Sequence, residues 1–395
     1  MPRTTATGLT RREALELLGM SAAAAALPNI ASAQTGVAFP KGAIIRTVLK
    51  DYAPEELAGG ATLFHEHMSV APDFLPRWMK FAAETRAANA PRGGGGRGAG
   101  AGGAGTGRGA AATPPPPPAP FFMQDADFMT EELATAKREG IACIVDGGHP
   151  DMGRDVNFLR DISKRSQLPI VLGGGFYTQP FYPKEVSTMS EEQVVQAIVK
   201  QVDTDPIGVF GEIGSWDVMT ADERKVFRAI GNAHVATNIP IFTHTGIPGI
   251  AALEQLDLLE DAGVKPDRIV IGHLGNLVDP SVQVHKAICR RGAYVGFDRQ
   301  GGPGDAEQVP MVMALLEAGF ADRLMFAADT SSANQMKRNK GDGYAKTFTV
   351  FVPKLKAAGA CPRCAPVVAT PAARAAHTIT NSRPRIVIRT PDSLD

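Results

Sequence analysis

The sequence lacks an excess of either charge, is poor in cysteine and contains no long apolar run. Its 395 residues include 41 Lys and Arg against 41 Asp and Glu, so the formal net charge is zero. A chain without a basic excess offers no electrostatic footprint for nucleic acid or an anionic membrane. Four cysteines are too few for a disulfide scaffold, and no stretch reaches the roughly 18 to 20 apolar residues of a membrane span. We expect a soluble globular protein of one large or two small domains, with neither nucleic acid nor a membrane span.

Residues 1–33 have the pattern of an export signal. Arg11 and Arg12 precede a mildly apolar stretch with five consecutive alanines, and Ala31-Ser32-Ala33 has the small-x-small spacing that signal peptidases cut. The pattern resembles a twin-arginine signal, and an amphipathic N-terminal helix is the alternative. We expect a mature chain of residues 34–395 in the periplasm or outside the cell. Because twin-arginine export carries folded proteins, the signal also favours a metal or cofactor loaded in the cytoplasm.

Short apolar runs alternate with amphipathic segments along the rest of the chain. The strand-like runs are 61–64, 141–145, 169–172, 207–210, 239–242, 269–271, 293–297 and 324–327. Helical patterns between them include 190–202, 221–237 (with Val235 facing inward), 250–262, 281–291 and 306–318. Eight βα units predict an α/β protein with a closed (β/α)8 TIM barrel. A doubly wound open sheet is the alternative, but no G-x-G-x-x-G turn follows the first strand.

Residues 91–120 interrupt this pattern with glycine-rich and proline-rich sequence that has too few apolar side chains to bury a core. The segment follows the first strand and precedes a helix that starts near Asp127. It therefore belongs to the first βα loop, on the face where barrel active sites form. It is either a mobile fringe over that site or an inert expansion.

Polar residues follow the predicted strands at the end where a barrel builds its active site. His65 and His67 close strand one, and their spacing puts both imidazoles on the same side of the strand. The other four are Glu212 after strand four, His244 after strand five, His273 after strand six and Asp329 after strand eight. Because the carboxyl ends of barrel strands converge, these side chains would meet in one cup and could bind metal. Otherwise, four of only eight histidines would have to reach these ends by chance.

This set of residues resembles the phosphotriesterase family of the amidohydrolase superfamily, and the resemblance spans nearly the whole mature chain. Supporting segments are Gly211-Glu212-Ile213-Gly214, Gly175-Phe176-Tyr177 and Gly296-Phe297-Asp298-Arg299. The resemblance implies that His65, His67 and Asp329 hold one ion, His244 and His273 a second, and Glu212 bridges both. The best-studied members use a carboxylated lysine as the bridge. Glu212 therefore indicates another branch, to which the activity of the lysine branch cannot be transferred.

The resemblance implies a binuclear metal-dependent hydrolase. Two divalent ions, Zn ahead of Mn, Co or Fe, would lower the pKa of a shared water, and the resulting hydroxide would attack the substrate. Asp329 would be the catalytic proton acceptor. Tyr177 and Arg299 match substrate-contacting positions in lactone-hydrolysing members, with a packed aromatic and a structural ion-pair partner as the alternatives.

The expected substrate is a small-molecule ester, with lactones or other carboxylic esters ahead of phosphotriesters. An amide hydrolase of the same superfamily and a non-catalytic exported barrel that binds a metal or ligand are the alternatives. The intact Asp329 argues against the second of these, since a binding protein could lose the proton acceptor. The sequence leaves the oligomeric state open, a homodimer included.

The remaining histidines and cysteines are assigned smaller roles. Expected surface histidines are His149 in a loop, His234 and His285 on helices, and His377 near the tail. Cys143 and Cys289 are predicted to be buried. Cys361 and Cys364 could form a redox pair, half of a zinc site or a structural disulfide, but no second C-x-x-C is present.

Overall fold

The computed structural model describes residues 39–89, 121–246, 249 and 251–360. Four predictions fall outside these ranges and stay predictions: the export signal at 1–33, the insertion at 91–120, the Cys361 and Cys364 pair, and the position of His377. Within the described ranges, no helix has the length and apolar character needed to cross a membrane.

Eight parallel strands form a barrel in which each strand pairs with the next one along the chain. They are β3 (Ala61–Glu66), β4 (Ile141–Asp146), β5 (Ile170–Gly174), β6 (Ile207–Gly214), β7 (Ile241–His244), β8 (Ile269–Ile271), β9 (Tyr294–Phe297) and β10 (Leu324–Phe326). Each predicted apolar run overlaps one of them. The prediction of a TIM barrel is confirmed.

The seam between β3 and β10 is joined by hydrogen bonds just beyond the strand ends. Asp329 N donates to His65 O at 3.2 Å, and His67 N donates to Thr330 O at 3.3 Å. The buried Glu66 carboxylate, which lies between the two histidines in sequence, accepts from Ala328 N at 2.7 Å and from Thr330 N at 2.8 Å. The closure of the barrel therefore places the first and last predicted ligands next to each other.

Two elements at the amino end of the barrel were not predicted. A short antiparallel hairpin, β1 (Ile45–Arg46) and β2 (Asp51–Tyr52), precedes the barrel. Val48 N donates to Ile170 O at 2.8 Å, and Ile45 packs with the apolar side chains that fill the barrel interior, such as Phe64, Val171 and Met325. The hairpin therefore covers the end of the barrel opposite the predicted site.

Helices surround the barrel and cover the outer faces of its strands. They are α1 (Pro54–Leu57), α2 (Phe74–Asn89), α3 (Ala126–Arg138), α4 (Val156–Ser166), α5 (Glu191–Thr204), α6 (Ala221–Thr237), α7 (Ala252–Asp261), α8 (Gln283–Arg291), α9 (Asp305–Glu317) and α10 (Val352–Ala357). The five helical patterns given by their ranges correspond to α5 through α9, and the helix expected near Asp127 is α3. The helices α1, α2, α4 and α10 were not individually predicted. A π-helical turn at Thr347–Phe351 leads into α10.

The sequence prediction was wrong for one residue of α6 and right for two buried cysteines. Val226 and Ile230 of α6 are fully buried, but Val235 is 61% exposed. Five residues of an α-helix turn through about 500°, which puts Val235 roughly 140° away from Ile230 around the helix. Cys143 and Cys289 are buried as predicted.

Candidate metal centre

The carboxyl ends of five barrel strands bring the six predicted ligands together. His65 lies in β3 and Glu212 in β6, His244 is the last residue of β7, and His67, His273 and Asp329 follow β3, β8 and β10. The side chains of all six are at most 12% exposed. The structure therefore brings the six side chains together, and their roles as ligands remain predictions.

Glu212 lies at the centre of the cluster. Its Oε1 is 3.1 Å from His67 Nε2, and its Oε2 is 3.2 Å from His65 Nε2 and 2.8 Å from His244 Nδ1. His273 Nε2 is 3.6 Å from the same Oε2 and 2.8 Å from His244 Nδ1. One carboxylate therefore contacts histidines from both predicted metal sites.

Asp329 completes the first predicted metal site. Its Oδ1 lies 3.2 Å from His67 Nε2 and 3.9 Å from His65 Nε2. The ligand atoms of His65, His67 and Asp329 form one compact group, and those of His65, Glu212 and His273 form another. Two overlapping groups of nitrogen and oxygen donors, with no thiolate, suit borderline divalent ions such as zinc.

The electrostatics of the cluster fit cations. Burial lowers the pKa of His67, but its hydrogen bonds to Asp329 and Glu212 outweigh burial and raise the pKa to about 10. Glu212 likewise holds the pKa of His65 well above its usual value despite burial. The buried His65 Nε2 makes no well-directed hydrogen bond in the described part of the protein, although Glu212 Oε2 lies 3.2 Å away. A divalent cation between these groups would satisfy both the imidazole nitrogen and the excess negative charge of the carboxylates.

Asp298 is a member of the site whose role sequence reasoning missed. Its Oδ2 accepts from His65 Nδ1 at 2.9 Å, and its Oδ1 accepts from His273 Nδ1 at 2.8 Å. With Nδ1 protonated in each ring, Nε2 carries the lone pair on the side of the cluster, 3.2 Å from Glu212 Oε2 in His65 and 3.6 Å in His273. A supporting carboxylate orients histidine ligands in this way. The sequence does contain a signal for Asp298 as a residue of the site, because Asp298 follows β9 directly and precedes Arg299.

The backbone is left-handed at two of the predicted ligands. The φ angle is 58° at His273 and 47° at Asp329. Residues other than glycine adopt this region at an energetic cost, and such positions cluster at functional sites. The backbone N–H of His273 donates to the Asp298 carboxylate at 3.0 Å, which helps to hold this conformation.

Tyr177 and Arg299 both lie against the predicted ligands. Tyr177 Oη is 3.1 Å from His244 Nδ1, and the side chain is buried. Arg299 Nε donates to Asp329 Oδ2 at 3.0 Å, and its Nη2 lies 3.2 Å from His273 Nε2. Arg299 is thus an ion-pair partner of Asp329, which is the alternative role considered from the sequence. It also lines the cleft, where 29% of its side chain is exposed.

A cleft of about 500 Å³ opens over the cluster. One wall is apolar and comes from α2, which contributes Phe74, Leu75 and Trp78. Another part of the lining is polar and comes from the loops after β9 and β10, including Gln300, Ser331, Asn334 and Lys346. The cleft is large enough for a small molecule with an apolar part and a polar part.

Three histidines predicted at the surface are buried instead. His149 is fully buried beneath the cluster, and burial lowers its pKa to about 3. His234 Nδ1 donates to Ile239 O at 2.6 Å, and His285 Nε2 donates to Leu274 O at 2.9 Å. One ring nitrogen of each of the latter two fastens its helix to a loop that leads into or out of a neighbouring strand.

A parallel eight-stranded barrel that gathers histidines and carboxylates at the carboxyl ends of its strands is a barrel of the amidohydrolase type. The chain belongs to the phosphotriesterase family, whose family model matches residues 46–368. This is a family of hydrolases that are typically binuclear and metal-dependent, and the cluster described above is a candidate for such a centre.

Comparisons with individual proteins agree with this family. The phosphotriesterase homology protein of Escherichia coli (strain K12) is 31% identical over 242 residues, which cover 59% of this chain and 82% of that protein. N-acetyltaurine hydrolase of Xenopus tropicalis is 26% identical over 342 residues, which cover 81% of this chain and 93% of that protein.

Solved structures show the same fold. The crystal structure of the E. coli protein, with phosphate in its active site, matches with a TM-score of 0.65 and 25% identity, over 82% of this chain and 99% of that one. A resiniferatoxin-binding protein from Rhodobacter sphaeroides matches with a TM-score of 0.68 and 23% identity, over 85% and 95% of the two chains. The second similarity supports the fold alone.

Proposed function

We propose that this protein hydrolyses carboxylic esters, with lactones ahead of phosphotriesters, by means of two divalent cations. The observation that carries the proposal is the arrangement of Glu212 among histidines of both predicted metal sites, below a cleft that Tyr177 and Arg299 also line. His65, His67 and Asp329 would hold one ion, His244 and His273 the other, and Glu212 both. Zinc suits these donors best, and Mn, Co or Fe would also fit.

The side chains of the protein would carry out the proton transfer and bind the substrate. When bound, two divalent cations lower the pKa of a water molecule and polarise the oxygen of the substrate's carbonyl group. Asp329 accepts the proton of the attacking water and passes it to the leaving group. Its Oδ2 is fixed by Arg299 and its Oδ1 faces His67, so the carboxylate is held in one orientation. Tyr177 and Arg299 donate hydrogen bonds to the oxygens of the bound acyl group.

Amide hydrolysis is the second candidate, and one observation favours it. The relative from X. tropicalis that aligns over 81% of this chain is named for the hydrolysis of an amide, N-acetyltaurine. Esters and amides share a planar carbonyl carbon and a tetrahedral transition state. The residues proposed for ester hydrolysis would therefore serve an amide as well, provided that the amine leaving group receives a proton from Asp329.

A substrate panel tests the proposal and separates the two candidates. Purified, metal-supplemented protein is assayed with lactones, aryl esters, N-acyl amines and a dialkyl aryl phosphotriester. We expect kcat/KM for the best carboxylic substrate to exceed that for the phosphotriester by at least about tenfold, roughly 1.4 kcal/mol of transition-state discrimination. Arg299→Ala should reduce this ratio more than Tyr177→Phe, because it removes a charge as well as a donor. Equal kcat/KM for both classes would contradict the proposal.

We also propose that the chain is exported by the twin-arginine route, since Arg11 and Arg12 precede an apolar stretch and a small-x-small cleavage pattern. Replacing both arginines with lysine should retain the full-length protein in the cytoplasm, as followed by cell fractionation. Unchanged export of that variant would exclude the route.

A further inference from the structure

Lys346 is a buried cation that pairs with no acid in the described part of the chain. It is 5% exposed and lines the cleft above the cluster. No carboxylate oxygen lies within ion-pairing distance of its ammonium group, whereas Arg299 in the same cleft is engaged by Asp329 at 3.0 Å. Buried lysines are rare unless they are paired, because an unpaired charge is costly to remove from water. The charge of Lys346 is therefore available to a ligand.

The surroundings of Lys346 hold its side chain in place against the loop after β9. The alkyl stem packs against Gly301, where a Cβ atom would lie only 2.9 Å from Lys346 Cδ. Gly301 also has a φ of 79°, which favours glycine. The position of the stem thus depends on the absence of a side chain at residue 301, beside the substrate-facing Arg299.

A second polar side chain without a partner lies next to this position. Gln300 is 1% exposed and lines the cleft, and neither its Oε1 nor its Nε2 has a hydrogen-bond partner in the described ranges. A buried amide without hydrogen-bond partners is energetically unfavourable. An amide donor and an ammonium group, both without partners, therefore lie on the same wall of the cleft.

The nearby acids do not neutralise this wall. Asp342 also lines the cleft, but it is exposed to solvent, which screens its charge. Glu66 influences Lys346 electrostatically, but its carboxylate accepts backbone hydrogen bonds from Ala328 and Thr330. A substrate anion would therefore compete with fewer carboxylates of the protein for Lys346 than for Arg299, which already pairs with Asp329.

We propose that Lys346, assisted by Gln300, forms a subsite for an anionic oxygen group, so that preferred substrates carry a negative charge remote from the bond that is hydrolysed. The apolar wall formed by Phe74, Leu75 and Trp78 lines the same cleft, and it would receive the uncharged part of the same molecule. The inference rests on the proposed function, because it names the substrate class of the same cleft.

The kinetic test uses pairs of acyl substrates that differ only at the far end of one chain, which bears either a sulfonate or an uncharged methyl sulfone. We expect the native protein to favour the sulfonate by at least about tenfold in kcat/KM. Lys346→Met keeps the length of the side chain but removes the charge, so it should abolish the preference by raising KM for the sulfonate alone. Lys356→Met is the matched control, since Lys356 is exposed on α10. An equal loss for both substrates would indicate a structural role only and would overturn the subsite.

A binding test separates failure of the subsite from failure of the proposed function. Propane-1-sulfonate and the neutral propane-1-sulfonamide are titrated calorimetrically into the metal-containing protein. We expect only the sulfonate to bind, with at least about tenfold weaker affinity in Lys346→Met. Lys346-dependent binding without hydrolysis of any acyl substrate would refute the proposed function but support the subsite.

Two further outcomes decide the subsite itself. Hydrolysis without charge preference, together with sulfonate binding that is unaffected by Lys346→Met, would overturn it. If Lys346→Met does not fold, Gln300→Leu provides the second variant, which should lower the sulfonate preference by a smaller factor. If the native protein itself shows no preference for the sulfonate substrate, the subsite is overturned and no variant is needed.

Discussion

Asp298 shows how one carboxylate can prepare two imidazoles for metal binding. It accepts hydrogen bonds from Nδ1 of both His65 and His273, which come from strands far apart in the sequence. An asparagine at this position has only one acceptor oxygen, so one of the two rings would lose its partner and its orientation. We expect Asp298→Asn to weaken metal affinity by about 10-fold to 100-fold, as measured by chelator competition.

The matched control for this variant is Glu132→Gln. Glu132 is also a buried carboxylate and accepts backbone hydrogen bonds from Lys337 and Arg338, but it has no contact with the cluster. Metal affinity should be unchanged in the control. If both variants lost affinity equally, the effect of Asp298→Asn would reflect general destabilisation and not the orientation of the histidines.

Glu212 is the residue on which the proposed two-ion arrangement would depend. Its two oxygens contact histidines of both predicted sites. Glu212→Gln retains the shape of the side chain but removes one negative charge and one acceptor. We expect the bound metal to fall from about two ions towards one per chain, with turnover strongly reduced and the circular dichroism spectrum unchanged. Full activity and full metal content in this variant would exclude Glu212 as the bridge.

At the scale of single residues, the sequence identified the side chains at the ends of strands that could bind metal. It did not identify the side chains that orient or support those predicted ligands. His65, His67, Glu212, His244 and Asp329 were predictable because barrel strands converge at one end. The role of Asp298 depends on which histidine nitrogens face it, and the burial of His149 depends on how the turn after β4 folds beneath the cluster. The place of Asp298 directly after β9 marks it as a residue of the site, but residue spacing encodes neither its contacts with two histidines nor the burial of His149.

At the scale of elements, α2 (Phe74–Asn89) has the largest consequence for substrate choice. It lies within the first βα loop, so it is additional to the usual alternation of one helix per strand, and we did not predict it for that reason. Trp78 of α2 lines the cleft, with its ring 6.3 Å from that of His244 and 5.8 Å from that of Trp216. An element that departs from the repeat thus supplies the apolar wall of the site.

We expect Trp78→Ala to raise KM for substrates with an apolar chain by about fivefold. Partial burial of such a chain against an indole ring contributes about 1 kcal/mol. Substrates with a short chain should be affected less, because they do not reach the ring. Met79→Ala provides the control, since Met79 is the adjacent residue and is 61% exposed. A uniform loss of kcat for all chain lengths would show that Trp78 supports the metal ligands instead of the substrate.

At the scale of the whole molecule, the regular repeat made the closed barrel predictable, whereas the contacts that close it were not. Eight apolar runs separated by amphipathic segments predicted the barrel, and each run overlaps a strand of the structure. The seam between β3 and β10 depends on Glu66, whose carboxylate accepts from the backbone of the last strand's loop. Such a contact joins residues more than 260 positions apart, and no local periodicity encodes it.

The proposed ions would connect both sides of this seam, and we therefore expect their removal to destabilise the whole barrel. Six ligands exceed the number that one tetrahedral site can use, so the protein should contain about two transition-metal ions per chain by elemental analysis. Each ion that binds only the folded state, at about a thousandfold excess over its Kd, contributes about 4 kcal/mol, so two ions contribute about 8 kcal/mol. For a chain of this size, that corresponds to a decrease in Tm of about 10 °C after chelation, reversed by adding Zn. Differential scanning calorimetry measures the change in Tm. Chelator added to the Glu212→Gln variant is the comparison, and the decrease in Tm should be smaller there.

A metal content of one ion per chain that does not change on supplementation with Zn or Mn would refute the binuclear centre. An unchanged Tm after complete metal removal would show that the stability of the barrel does not depend on the metal.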